Sequence, residues 1–425
     1  MVNSQKLEKY DKKTNIIGDL LLFIMIIAIP AEPIISDLIS YAAMAGLLVW
    51  TILKNKKVYF TSATIFMILF ILYSIISLSY TPFNANGSDT VQVMLKMLLY
   101  TFTIVQYVFF SNTVVEDGIS KVMDFFVIGT VIISVYTMFY ERSYIMSSYW
   151  RLGKALFENY GTFMLLSYSI IIALLWTFYS LFEKHRFIFI PILVILLLAA
   201  ALSGTKKTII AVVVSIPVYF FIKYRKRAFK LIFIGIIILA AVYIAYLIIM
   251  NNSVLYRTIG YRMQSFINSV LNNGEDSQSY SERYMMRNFA MQWFTDKPVF
   301  GNGVSAFRGL YVLKTGKFLY SHCNYTELLC NTGLVGFLSY YGFLIYMLVK
   351  SVFLYNKTEK SFFMFATVFM FVVIMLDYGQ VSYYRTHYFL IYQLISLAIC
   401  ANKESSSEAV NEKSNEQFNL SEDMI

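Results

Sequence analysis

Apolar residues in this chain come in long runs broken by short polar clusters, and run length sets the elements. A helix needs about 20 apolar residues to cross a bilayer. Runs of that order predict helices at roughly 16–35, 36–53, 58–80, 91–111, 119–140, 161–182, 187–203, 207–222, 229–250, 325–349, 361–377 and 386–401. The expected fold is all-α, a polytopic transmembrane bundle of about twelve spans. The boundary between the first two is soft, because only Pro30-Ala31-Glu32-Pro33 separates them. The chain then divides into spans over 1–250, an extracytoplasmic loop over 251–324, further spans over 325–402 and a tail over 403–425. The tail is rich in Ser, Glu and Asn and is expected to be disordered. No fixed-period repeat is visible.

Composition agrees. The chain is 58% hydrophobic and 14% charged, with a mean hydropathy of +0.61. Soluble domains carry about 25% charge, so an array of them is excluded. The three cysteines, Cys323, Cys330 and Cys400, are too few and too irregular for a disulfide framework or a metal knuckle. A charged start (Lys6, Lys9, Lys12, Lys13) precedes the first run, which outlasts a signal-peptide core and reads as a retained span. Lys54, Lys56 and Lys57, then Lys223, Arg225, Lys226, Arg227 and Lys230, fall in short loops on one side. By the positive-inside bias that side is cytoplasmic, together with both termini. The net charge of +10 follows from this topology and one basic outer loop, so nucleic acid is not an expected partner.

That loop holds the candidate chemistry. Leu255, Ile259, Met263, Phe266, Ile267, Val270 and Leu271 at helical spacing predict a surface helix over 254–271. Ser279-Tyr-Ser-Glu282 fits a capping box opening a second helix to about Thr295. Its apolar stripe is Met285, Met286, Phe289, Ala290, Trp293 and Phe294. Arg283 and Arg287 share one face of it. Cations in a first helical turn oppose the helix dipole, a conflict that a bound anion removes. Contact with lipid headgroups, Glu282 or Asp296 is the plainer alternative. Pro298-Val-Phe-Gly301-Asn-Gly303 predicts a tight turn. His322 lies at the outer boundary of the next span, where an imidazole serves either as a general base or as a structural hydrogen-bonding group. Gly333-Leu-Val-Gly336 reads as helix packing.

The order of these pieces resembles the C-terminal signature of the O-antigen ligase and polymerase superfamily, membrane glycosyltransferases that use polyprenyl-diphosphate-linked glycans. The matching residues are Arg283, the Pro298–Phe307 stretch, His322, Tyr325, Glu327, Gly333 and Gly336. Upstream, Arg151-Leu-Gly153 with Asn159, and Leu202-Ser203-Gly204-Thr205-Lys206, look like two further family elements. Two departures stand out. Lys206, followed by Lys207, replaces the family's arginine, keeping charge but losing the bidentate fork. Cys323 also separates His322 from Asn324, where the family has His-Asn.

The resemblance implies attack of an acceptor-sugar hydroxyl on the donor's anomeric carbon, with inversion and loss of lipid diphosphate. It assigns diphosphate stabilisation to Arg283 and Lys206 first, with Arg151, Arg287 and Lys207 beside them. His322 would orient or deprotonate the hydroxyl, and Glu327 would position His322 or the sugar. Asn324, Tyr325, Trp293, Tyr320 and Tyr311 would face the sugar. No metal and no cofactor is implied. The expected function is a polymerase of O-antigen or capsular repeat units in the bacterial cytoplasmic membrane, with a chain-length regulator and a flippase as further partners. A ligase acting on lipid A-core is the alternative within the class. A lipid-linked glycan flippase is the alternative outside it, and it would rely on charges within spans such as Lys96, Asp124 and Asp377. A reporter fused within 272–280 is expected to read as extracytoplasmic; a cytoplasmic signal would contradict the topology.

Overall fold

Every apolar run named above forms a helix, because a backbone in hydrocarbon must satisfy its own hydrogen bonds. A computed structural model describes residues 12–31, 35, 37–111, 114–145, 152–156, 164–261, 263–264, 268 and 278–403. Among them every regular element is helical. The main helices are α1 (Lys12–Ala28), α2 (Asp37–Asn55), α3 (Ser62–Ser77), α4 (Asn84–Ser111), α5 (Val115–Tyr140), α6 (Met164–Phe182) and α7 (Phe189–Ser203). They continue as α8 (Lys206–Tyr224), α9 (Ala228–Asn251), α10 (Gln278–Asp296), α11 (Ala306–Thr315), α12 (Asn324–Thr358), α13 (Ser361–Leu376) and a final α14 over 386–403. By length and apolar character, α2, α4, α5, α6, α8 and α12 can each cross a membrane. Shorter apolar helices are α3, α7, α13 and the Ile16–Ala28 part of α1.

The hub is α6. It is apolar all round and buried along nearly its whole length, as expected of a helix enclosed by others. Around it pack α5, α7, α8 and α13. At one end of the bundle the charged groups find partners. Lys121 meets Asp19 at 3.0 Å, Arg186 meets Asp124 at 2.7 Å and Lys360 meets Glu116 at 2.7 Å. Lys223 and Tyr219 both bond Glu183, Lys184 bonds Ser120, and Arg225 bonds Asn356. The basic segment around 223, assigned to the cytoplasmic side by sequence, therefore meets those around 184 and 357 at one end of the bundle.

Two expectations are revised. Helix α10 already includes Gln278, so Ser279 lies inside it rather than capping it. And Gly333 does not serve helix packing: it breaks α12, with φ 61° and ψ −164°. The break leaves carbonyls and N–H groups without helical partners, and the 298–303 turn supplies them. Asn302 N donates to Cys330 O at 2.9 Å and Gly303 N to Asn331 O at 2.8 Å, while Leu334 N donates to Pro298 O at 2.8 Å and Val335 N to Val299 O at 3.1 Å. The side chain of Asn302 bonds Cys330 O and Trp293 O, tying in α10. The expected turn is thus present, with Gly301 at φ 70° and Gly303 at φ 98°, and its role is to splice a broken helix. Of the expected surface helix, Ser253–Leu255 leads into a π-helical turn at Tyr256–Gly260, and most of 262–277 lies outside the described residues. The 404–425 part of the tail and most of the basic N-terminal start lie outside them too.

A Cβ on Gly333 would sit 2.4 Å from Val299 O and 2.6 Å from Gly301 N, in a backbone region that L-residues rarely adopt. Gly333→Ala should therefore cost at least about 1–3 kcal/mol, the scale of a strained residue. Thermal unfolding in detergent checks this. Gly342→Ala, where an added Cβ meets nothing within 4 Å, is the control and should leave the melting temperature unchanged.

Candidate active site

Splicing the break fixes the segment just before it. Residues 324–332 lead α12, and Asn324 anchors that end. Its N–H donates to Asp377 O at 2.8 Å, and its amide nitrogen donates to Tyr341 Oη at 2.9 Å and Asp377 Oδ2 at 3.2 Å. Its Oδ1 accepts from Ser382 N at 3.1 Å. Asn324 thus clamps the 377–385 loop to α12. Glu327, one turn on, is buried and holds the strand of chain before the helix. Its Oε2 accepts from Ser321 N at 2.8 Å and from Ser321 Oγ at 2.9 Å. His322 sits between these two anchors with φ 58°, a conformation a histidine adopts only when its neighbours impose it.

The imidazole of His322 lies against Tyr320, with ring centroids 4.1 Å apart. Its Nδ1 is buried with no hydrogen-bond partner. Burial first, then the charges of Arg283 and Lys207, push its pKa down to about 3. Arg283 comes from α10, in a loop far from α8, which presents Lys207 in its own first turn. The two cations and the imidazole therefore converge from three separate stretches of chain. Lys207 Nζ is buried without a hydrogen-bond partner and stands 5.8 Å from the Tyr168 ring. Arg283 and Lys207 form no ion pair among the described residues. Glu282, a partner in the plainer reading of Arg283, instead pairs with Lys317 at 3.3 Å. Arg287 lies over the Tyr378 ring at 4.7 Å, on the loop that Asn324 holds.

The other expected residues are placed as follows. Lys206 projects from the exposed side of α8, so Lys207 is the lysine facing the cluster. Tyr320 is in the cluster. Tyr325 stacks on Tyr341 at 4.6 Å and donates to Ile374 O at 2.5 Å. Trp293 packs with Phe289, Phe307 and Tyr311 in a small satellite core, so it and buried Tyr311 shape the loop rather than line an open sugar site. Asn324 has its amide fully engaged within the protein. Arg151 and Asn159 lie outside the described residues. Residues 152–156, between them, are described. Leu152 N donates to Leu202 O at 3.1 Å, and buried Glu141 accepts from Gly153, Ala155 and Leu156 N–H groups. The two upstream elements are thus stitched together beside Lys207.

Two arginines escaped the sequence reading. Arg308, on α11, donates to Tyr384 Oη at 2.5 Å. Arg385 lies 4.8 Å from the Tyr384 ring and 6.0 Å from the Tyr168 ring. Both carry a buried Nε without a partner. A signal existed for Arg385: it ends a short outer loop, where the positive-inside bias disfavours a cation. Among the described residues no group of three or more His, Cys, Asp or Glu side chains could hold a metal ion.

A site of this kind suits an anion. Arg283 and Lys207 border the His322 imidazole, and Arg308 and Arg385 lie near buried Glu327; none of the four has a carboxylate in ion-pair range among the described residues. Unpaired buried charge is costly, and a polyanion with several acceptor oxygens offsets that cost. Residues 191–341 match the family described as O-antigen ligase, and the match runs from α7 through the Gly333 break, enclosing Lys207, Arg283, Arg308, His322 and Glu327. Over this stretch the chain is similar to the O-antigen ligase family, in agreement with the superfamily resemblance carried by its motifs. No curated protein matches the chain. With its apolar helices, the protein is a multi-pass membrane protein.

In a 15N-histidine titration His322 should stay neutral at pH 5, where an ordinary imidazole of pKa about 6.5 is mostly charged. Arg283→Ala removes a charge that lowers the value, so the titration should move to higher pH. An ordinary midpoint in the unmodified protein would contradict the crowding of cations around it.

Proposed function

We propose that this chain is a polymerase that joins polyprenyl-diphosphate-linked oligosaccharide repeat units into O-antigen or capsular polysaccharide. The reaction takes place at the outer face of the bacterial cytoplasmic membrane, with all the apolar helices spanning and both termini cytoplasmic. The observation that carries the reading is the convergence of Arg283, Lys207 and His322, with neither cation in an ion pair among the described residues and Asp377 as the acidic group nearest Lys207. Gathering of the ion-paired basic segments at the opposite end supports the orientation.

The donor's diphosphate binds across Arg283 and Lys207, with Arg287 and Arg308 beside them. The acceptor hydroxyl attacks the donor's anomeric carbon. A new C–O bond forms, the bond from that carbon to the diphosphate oxygen breaks, and its electron pair leaves with the lipid diphosphate. Negative charge grows on the departing oxygen, so fixed cations stabilise the transition state more than the bound ground state. The hydroxyl proton passes to the imidazole of His322. Buried beside Arg283 and Lys207, that imidazole is held neutral, so it can accept a proton. Arrival of the diphosphate screens Arg283 and Lys207, which raises the imidazole's proton affinity when the acceptor must be activated. Glu327 acts through Ser321 as a positioning residue for His322. A single displacement inverts the anomeric centre.

Arg283→Ala and His322→Ala should each lower polymer formation about 10²-fold or more, the scale of losing one oriented stabilising group, with protein retained in the membrane. Glycan electrophoresis reads the result. Single-repeat caps in cells carrying either variant support the polymerase. Long unattached polymer would indicate a ligase, and intracellular lipid intermediates a flippase. Unchanged long chains would overturn the assignment of these residues.

A further inference from the structure

The 384–387 segment has two sides. One faces the His322 cluster through Tyr384 and Arg385. The other lines a cavity of about 240 Å³ between α1, α2, α4 and the start of α6. Lys96, midway along α4, opens into this cavity, and its Nζ lies 5.8 Å from the Tyr41 ring. It forms no ion pair among the described residues. Lys96 is exposed on α4 near the start of the 91–111 apolar run, so its long stem carries the ammonium to the mouth of the cavity. His387, nearly fully buried, also lines the cavity, and its Nε2 has no hydrogen-bond partner. Ile29, Met97 and Leu165 supply an apolar wall. Arg385 closes the space on the side of the main cluster, where it shares the Tyr168 ring with Lys207.

We propose that this cavity is a second phosphate-ester subsite, holding the diphosphate head of the acceptor lipid-linked glycan. This rests on the polymerase reading. Joining repeat units consumes two molecules of one chemical class. One is cleaved beside His322. The other keeps its diphosphate intact, and that group also needs cations. Lys96 and Arg385 supply them, and His387 supplies a further polar contact. The apolar wall suits the first isoprene units of a lipid rather than a free anion from solution. Asp37 lines the same space without pairing with Lys96, and a hydroxyl of the sugar next to the diphosphate is the donor it can accept. Arg385, between the two spaces, sets the acceptor's charged end next to the reaction centre.

Native mass spectrometry of the full chain in phosphatidylcholine nanodiscs, titrated with undecaprenyl diphosphate, tests this by stoichiometry. The unmodified protein should hold two lipids, Lys96→Gln one, Arg283→Ala one and the double variant none. Lys96→Arg, which keeps the charge, should restore the second. An unchanged melting temperature for Lys96→Gln confirms its fold; if it unfolds early, the Lys96→Arg count and competition in the unmodified protein decide. One lipid in the unmodified protein, lost in Arg283→Ala and kept in Lys96→Gln, overturns the second subsite and leaves the main site standing. No lipid at all overturns both. Displacement of the second lipid by inorganic diphosphate or by phosphatidylglycerol would also overturn it, because the site would then not select a polyprenyl diphosphate.

Discussion

The structure depends on a helix that is broken and repaired. At Gly333 the backbone of α12 leaves helical geometry, and the 298–303 turn takes over its hydrogen bonds in register. Two glycines with positive φ, Gly301 and Gly333, meet backbone to backbone, at a separation no side chain permits. The consequence is positional. The turn belongs to the same loop as α10, so inserting it into α12 fixes where Arg283 stands. The segment before the break carries Asn324 and Glu327, so the same joint fixes where His322 stands.

The second organising constraint is electrostatic. At one end of the bundle Lys and Arg meet Asp and Glu in ordinary pairs. At the other, Arg283, Lys207, Arg308 and Arg385 face tyrosine rings, hydroxyls and an imidazole, with buried Asp377 and Glu327 nearby but outside ion-pair range. Aromatic faces give a cation some compensation, about 0.5–2 kcal/mol each, well short of what a buried charge loses on leaving water. In the proposed reaction a bound diphosphate supplies the remainder. Burial first, and then the charges of Arg283 and Lys207, hold the His322 imidazole neutral, so in the proposed reaction the cations that attract the donor also help to keep the base ready.

Much of this was legible in the sequence. Helix positions follow from run length, because a long apolar run satisfies its backbone most readily as a helix. The convergence of Arg283, His322 and the Pro298–Gly303 turn could be anticipated from a resemblance, because those residues lie in one loop. Other parts were hidden for physical reasons. Lys206 and Lys207 are adjacent, and which one faces inward depends on the helix's rotation, which the nearly uniform apolar surface of α8 does not encode. Asn324 looked free for sugar, yet its partners Asp377 and Ser382 are more than fifty residues away. Gly333 looked like a packing glycine because a break and a packing site read alike in a string of letters. Arg308 and Arg385 were missed because neither falls in a motif; only the tertiary approach of α11 to the 377–385 loop gives them a place.

The most direct measurement is a structure of the protein with a non-cleavable phosphonate analogue of a lipid-linked sugar bound. The account predicts the two phosphorus groups between the Arg283 guanidinium and the Lys207 ammonium, with the sugar's anomeric carbon turned toward His322. Density for the analogue at the opposite, ion-paired end of the bundle, with the Arg283–Lys207 space filled by ordered water, would contradict it.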